Sequence, residues 1–103
     1  MEQNKQLIYI MRNGNTNLYK IGISQHCNKR KKQLQTGNPN EIKLLYRCYI
    51  DPEIKAVNVE TTIHQYLKEN NKWIRGEWFR LTETDVYSIA KLLLVVGQNA
   101  LSL

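Results

Sequence analysis

The chain lacks the sequence features of several common protein classes. Its 103 residues include only Cys27 and Cys48, without a CxxC motif, so small buried thiols are expected rather than a disulfide or zinc site. No apolar run approaches the roughly 18 residues that a membrane-spanning helix needs. The first six residues also lack the basic-then-apolar order of a signal peptide. We therefore expect a cytoplasmic protein without a membrane partner.

Two catalytic signatures are missing as well. Gly14, Gly22 and Gly37 are too far apart to form a phosphate-cradling P-loop. No serine or cysteine has an evident base nearby in the pattern, so covalent acyl chemistry is unsupported.

Basic residues, in contrast, are abundant and clustered. Fifteen Lys and Arg oppose nine Asp and Glu, which gives a net charge of +6 and favours an anionic partner such as nucleic acid. One basic run occupies 29–32, and two arginines bracket the aromatic pair at 78–79. The candidate DNA-contacting residues are Lys29, Lys31, Lys32, Arg75 and Arg80.

The strand signals predict a small sheet. Residues 7–11 and 18–23 alternate as strands around an Asn13-Gly14 turn, which is typical of an antiparallel hairpin. A third strand is predicted over 42–50, and a short extended piece over 76–81. On the second strand, Tyr19, Ile21 and Ile23 should share one face, with Lys20 and Gly22 on the other.

Helical signals separate these strands. One helix is predicted over 26–35 after Ser24, and a second opens at Asp51-Pro52 and runs to about Lys68. A last apolar helix, 83–97, follows a capping-box pattern formed by Thr82 and Asp85. The order is β-β-α-β-α-(β)-α. This predicts an α+β fold, with a three-stranded antiparallel-type sheet flanked by helices in a single domain over 1–103.

Polar residues interrupt the apolar pattern at a few positions. Glu60 projects into an apolar stripe of the second helix, where an unpaired carboxylate is costly, so it should be either ion-paired with Arg30 or Lys20 or a divalent-metal ligand. Arg30 is expected to face inward, either in an ion pair or as a fork for a phosphate. His64, one turn after Glu60, is either a packing residue or an assisting residue. Gly22 is either an ordinary strand glycine or a place where another group approaches the backbone.

These residues fall into ordered motifs. The chain resembles the GIY-YIG nuclease superfamily, in its small phage-associated DNA-binding or nuclease branch, over residues 7–82. The superfamily's two tripeptides fall on Leu7-Ile8-Tyr9 and Lys20-Ile21-Gly22. The branch marks are TyrLysIleGlyIle at 19–23, LeuGlnThrGlyAsnPro at 34–39, Glu60 with His64, and GlyGluTrpPhe at 76–79.

The resemblance implies hydrolysis of a phosphodiester with Mg²⁺ or Mn²⁺. Tyr9 would position or deprotonate the attacking water, with Lys20 lowering its pKa, Arg30 would hold the scissile phosphate, and Glu60 would bind the metal. Tyr19 and His64 are the candidate assisting residues. The sequence departs from the superfamily pattern at Leu7, where a glycine is usual, and at Lys20, where a tyrosine is usual.

Three functions remain open from the sequence. The first is a metal-dependent endonuclease that cleaves DNA, with RNA not excluded as a substrate. The second is a DNA-binding module of the same fold that does not cut. The third is a homodimeric interaction domain that uses the apolar run at 92–96 in the last helix.

Overall fold

A computed structural model describes residues 6–102 and shows a chain of strands and helices. The strands are β1 Leu7–Asn13, β2 Leu18–Ser24, β3 Ile42–Ile50, β4 Trp73–Arg75, β5 Trp78–Arg80 and β6 Gly97–Ser102. The helices are α1 Cys27–Gln35, α2 Ala56–Glu69 and α3 Glu83–Val96. The α+β class follows from this order.

The strands form one six-stranded sheet in the order β4-β5-β2-β1-β3-β6, and every neighbouring pair is antiparallel. The prediction of a three-stranded sheet was wrong. The piece predicted at 76–81 is one arm of a two-stranded ribbon, β4–β5, which adds to β2. The chain beyond α3 forms β6 against β3, although its polar and small residues carry no strand signal.

The predicted hairpin forms between β1 and β2. Gly14 lies in its turn with φ +60°, a left-handed conformation that glycine adopts without a Cβ penalty. The register places Tyr9 opposite Gly22, and Met11 opposite Lys20. Because β1 also pairs with β3, Tyr9 lies on an interior strand of the sheet.

The helix boundaries differ from the prediction at several places, including the end of α3, which is Val96 rather than residue 97. Residues 52–54 form a turn and Lys55 has φ 69°, so α2 begins at Ala56 rather than at Asp51-Pro52. The helix α1 begins at Cys27, and the Ser24 Oγ accepts a hydrogen bond from the His26 backbone N–H at 2.9 Å just before it. The capping box before α3 is confirmed: Thr82 and Asp85 exchange hydrogen bonds of 2.9 and 3.0 Å.

The sheet separates two apolar clusters. On one face, Tyr19 and Ile21 of β2 pack with Ile63 of α2 and Leu93 of α3, and Ile23 borders them, so the predicted common face is confirmed. On the other face, Tyr9 packs with Cys27 and Leu34 of α1. Functional groups on β2 can therefore reach either layer, depending on which face they occupy.

Both cysteines are free and buried, which confirms the expectation of small buried thiols. Within residues 6–102, no helix has both the length and the apolar character needed to cross a bilayer. Residues 1–5, on which the signal-peptide prediction partly rests, lie outside the described part of the chain.

Candidate active site

The hairpin brings Tyr9 and Gly22 into close contact. A Cβ built on Gly22 would lie 2.7 Å from Cζ of Tyr9 and 2.9 Å from Oε1 of Glu77, and closer still to the Tyr9 hydroxyl. These distances leave no room for any other side chain. Of the two interpretations of Gly22, close approach is the one that the structure supports, and the group that approaches is the Tyr9 phenol.

The phenol of Tyr9 belongs to strand β1, opposite Gly22 of β2. Tyr9 is fully buried, and desolvation by burial raises its pKa to about 12, although a hydrogen bond from the Arg30 side chain lowers it and the charge of Glu77 raises it. The expectation that Lys20 lowers the pKa of Tyr9 was wrong: burial has the largest effect and raises the pKa, and the cation that lowers it is Arg30. At neutral pH the hydroxyl is protonated and can donate a hydrogen bond.

Arg30 extends from α1 to this hydroxyl. The prediction that Arg30 faces inward was wrong, because the residue is exposed. Its Nη1 donates a hydrogen bond of 3.2 Å to Oε1 of Gln33 one turn along the helix, and the guanidinium is near enough to Tyr9 to lower the pKa of that phenol. An exposed guanidinium held beside a buried phenol can still offer donors to a phosphate from solvent.

Lys20 is held by a residue that the sequence had not identified as functional. Its Nζ lies 3.2 Å from Oε1 of Glu77, and the lysine is only 7% exposed. The same ammonium lies 5.6 Å from the ring centre of Trp78. The Glu77 carbonyl accepts a hydrogen bond of 3.1 Å from the Ile21 backbone N–H, which fixes the Glu77 backbone beside β2.

Glu60 approaches the same carboxylate from α2. Its Oε2 is buried and has no hydrogen-bond partner among the described residues. Burial first, and then the charge and side-chain hydrogen bond of Glu77, raise the pKa of Glu60 to about 7, while Lys20 acts in the opposite direction. The predicted ion pair with Arg30 or Lys20 does not form: within the described part of the chain, Lys20 is ion-paired with Glu77.

The chemistry of this donor set fits a divalent cation such as Mg²⁺. An unpartnered, buried carboxylate oxygen beside a second carboxylate is a favourable place for positive charge. Mg²⁺ commonly binds through one or two carboxylates and retains several waters. Among the residues that the structure describes, no group of three or more His, Cys, Asp or Glu is arranged to hold a metal. A cation at this site would therefore have two protein ligands, Glu60 and Glu77, with water completing its coordination.

The two candidate assisting residues, His64 and Tyr19, both contact core elements of the fold. His64 Nε2 lies 2.8 Å from the Ile21 carbonyl oxygen, and its ring centre is 4.9 Å from that of Phe79. Burial lowers the pKa of His64, although the contact with the Ile21 carbonyl raises it. Tyr19 is buried in the cluster on the α2 face, opposite the face that carries Lys20. Tyr19 is therefore a packing residue, whereas His64 contacts β2 and also lies near enough to Glu77 and Lys20 for their charges to affect its pKa.

The predicted DNA-contacting residues lie at the surface. Lys29, Lys32, Arg75 and Arg80 are exposed and Lys31 is half-buried. None of these five side chains forms a salt bridge within the described chain, where the ion pairs are those of Lys20 and Lys72. Their positive charge is therefore available to an anionic partner.

Glu77 is the main residue that the sequence argument missed. Its two aromatic neighbours differ in exposure, since Phe79 is a buried core residue and Trp78 is half-buried. A usable signal was present, because Glu77 lies within the motif GlyGluTrpPhe at 76–79 and a lysine among the apolar residues of a strand requires an anionic partner when it is buried. The sequence did not pair the two residues, since the β4–β5 ribbon that positions Glu77 was not predicted.

Comparison with known proteins identifies a different family from the one suggested by the motifs. The model of the T5orf172 domain matches residues 6–94, which is most of the chain. That family is distinct from the GIY-YIG nucleases, so the assignment based on the tripeptides was wrong, although both are related to nuclease-like folds. No curated protein and no solved structure matches the chain.

Proposed function

Because the chain belongs to the T5orf172 domain family, a phage-associated family of DNA-binding or nuclease-like type, we propose that it is a metal-dependent endonuclease acting on DNA. The observation that carries the proposal is the partnerless buried oxygen of Glu60 beside the carboxylate of Glu77. A carboxylate pair of this kind destabilises the fold, so packing does not explain its presence. Ionisable groups with raised pKa values concentrate at functional sites.

The carboxylates would hold the cation. Glu60 and Glu77 would bind Mg²⁺ or Mn²⁺, which when bound supplies charge stabilisation to the oxygen atoms of the phosphate undergoing cleavage. Lys20 remains within the ion pair with Glu77 and holds that carboxylate in place. The donors are all hard oxygen atoms, as these cations prefer.

Arg30 and Tyr9 would act on the phosphodiester. Arg30 is exposed, and its guanidinium, which hydrogen-bonds to Gln33, can bind two phosphate oxygens beside Tyr9. The Tyr9 hydroxyl, neutral because of its raised pKa, can orient the attacking water or a phosphate oxygen through a hydrogen bond. A phenolate base at neutral pH is disfavoured, so positioning is the role we assign to Tyr9.

Plasmid nicking tests this proposal. Purified protein is incubated with supercoiled plasmid and Mg²⁺ or Mn²⁺, with EDTA as the metal-free condition. We expect Glu60→Ala to reduce nicking by about 10²-fold or more, since it removes a ligand of the cation that stabilises charge in the transition state. Glu69→Ala is the matched control, because Glu69 lies on the same helix, is exposed and contacts only Gln65 in the described structure.

The control separates true activity from contamination. Nicking that needs metal, survives Glu69→Ala and is lost in Glu60→Ala supports the nuclease. Equal trace nicking by the wild type and both variants removes the enzyme proposal. If the same preparations bind DNA with an affinity that falls steeply with salt, the alternative of a DNA-binding module without cleavage takes its place.

A homodimer through α3 is a separate proposal, and exposed apolar side chains on this helix support it. Leu92, Leu94 and Val95 are exposed by 44%, 62% and 82%. Burial of such a row between two copies would be favourable. We expect light scattering to give twice the chain mass of 12.2 kDa at high concentration and Val95→Lys to restore the monomer. A wild-type monomer at all concentrations would refute the dimer.

A further inference from the structure

Trp73 in the β4–β5 ribbon (residues 73–80) is held in a fixed orientation while remaining exposed. Its indole Nε1–H donates a hydrogen bond of 2.9 Å to the carbonyl oxygen of Gly76 across the turn. The ammonium of Lys68 on α2 lies 4.8 Å from the ring centre. Nevertheless, 47% of the residue remains exposed. A large aromatic surface is thus preorganised in water.

Packing does not account for this arrangement. Trp73 pairs with Phe79 in the register of the ribbon, but Phe79 is completely buried and Trp73 is not. Its neighbour Ile74 is also exposed, by 41%. Tryptophan and isoleucine side by side at a surface form the kind of apolar patch that a binding partner covers.

The charges around Trp73 indicate which partner that is. Lys68, Arg75 and Arg80 are exposed cations on or beside the ribbon. The ribbon also carries Glu77, whose carboxylate lies at the candidate active site, so the indole and that site are joined by a few residues of backbone. A partner that is flat and apolar but also negatively charged satisfies both features, and a nucleobase attached to its phosphate has this character.

We propose that Trp73 stacks on an unpaired base of the DNA that occupies the active site. The substrate would then be single-stranded or locally unpaired DNA, because a base inside an intact duplex has both of its faces covered by its neighbours. Lys68 and Arg75 would contact the flanking phosphates. This inference rests on the nucleic-acid part of the proposed function and adds the class of DNA substrate.

Binding measured without cleavage tests the stack. A fluorescein-labelled single-stranded oligonucleotide, and the duplex of the same length, are titrated with protein in EDTA, and anisotropy gives the affinity. We expect Trp73→Ala to weaken single-strand binding about tenfold, the usual effect of losing one base–aromatic stack. Trp73→Phe should retain most of the affinity, and duplex binding should change less than about twofold with either variant.

Tyr87→Ala is the matched control. Tyr87 on α3 is 61% exposed and has the Lys91 ammonium 5.4 Å from its ring centre, but it lies outside the ribbon. We expect this variant to bind single strands as the wild type does. The chain has two tryptophans, so Trp73→Phe leaves Trp78 as the only one. Single-stranded DNA should quench the wild-type tryptophan emission much more than the emission of Trp73→Phe.

The outcomes separate the two proposals. Equal single-strand affinity for the wild type, Trp73→Ala and Tyr87→Ala would overturn the stack, and so would equal loss in single-strand and duplex binding. Trp73-dependent single-strand binding without Glu60-dependent nicking would support the stack and refute the nuclease. Glu60-dependent nicking together with an unaffected Trp73→Ala would do the reverse.

Discussion

Replacing Arg30 by alanine should reduce DNA cleavage by about 10²–10³-fold, the range measured when one preorganised donor to a developing negative charge is removed. Stability should hardly change, because Arg30 is exposed and its contacts are limited to Gln33 and Tyr9 within the described structure. The pKa of Tyr9 should rise further, since the hydrogen bond from Arg30 lowers it. Nicking rates and thermal unfolding measure the first two effects.

Two further substitutions show whether the geometry or merely the charge of Arg30 matters. Arg30→Lys retains the charge but not the planar fork, so we expect it to recover only a small part of the activity. Lys32→Ala removes an exposed cation from the same helix and should weaken DNA binding slightly without an effect on the cleavage step. Full activity in Arg30→Lys, or equal losses in Arg30→Ala and Lys32→Ala, would contradict a specific phosphate contact.

Gly22→Ala should damage both the fold and the site. The new Cβ would overlap the phenol of Tyr9 and approach Oε1 of Glu77, and neither strand can move easily, because Tyr9 lies on an interior strand. Overpacking of this kind typically costs about 1–3 kcal/mol of unfolding free energy. We also expect nicking to fall to background, because the phenol must leave the position in which Arg30 contacts it. Chemical denaturation and plasmid nicking measure the two effects.

A double-mutant cycle identifies the cause of that damage. Tyr9→Phe removes the hydroxyl that the new Cβ would meet first. The destabilisation of Gly22→Ala should therefore be smaller in the Tyr9→Phe background than in the wild type, with a coupling of about 0.5–1 kcal/mol. Additive free energies would mean that the backbone of β2, rather than the Tyr9 side chain, is what alanine disturbs.

Local sequence signals predicted much of the fold. The alternation in β1 and β2, the glycine turn between them, the third strand and the capping box of α3 each depend on neighbouring residues, and all are present in the structure. These local signals did not predict the β4–β5 ribbon or β6, whose conformation depends on pairing with other strands. Three-residue strands such as β4 and β5 gain their stability from the sheet that they join, and the polar residues of β6 carry no strand preference.

The site shows the same division. Tyr9 and Lys20 stand out in the sequence because each lies among the aliphatic residues of a strand, and Glu60 because it interrupts an apolar stripe of a helix. The structure brings these three residues and Arg30, a member of the basic run, to one region around Gly22. The contacts that these residues make could not be predicted from the sequence. That Lys20 contacts Glu77, and that burial raises the pKa of Tyr9, depend on the placement of the ribbon and of α1 in three dimensions.

The ribbon gives the two halves of this site unequal resistance to local opening. Tyr9 lies on β1, which is hydrogen-bonded to strands on both sides, so only near-global unfolding would release it. Glu77 lies between two strands of three residues each at the end of the sheet, and β4 is exposed throughout. Detachment of this ribbon would carry away one carboxylate and the exposed indole together while the phenol and the guanidinium stay in place. Metal binding and base stacking both favour the attached ribbon and would therefore reinforce each other. Amide hydrogen exchange of residues 73–80 would report this coupling as increased protection.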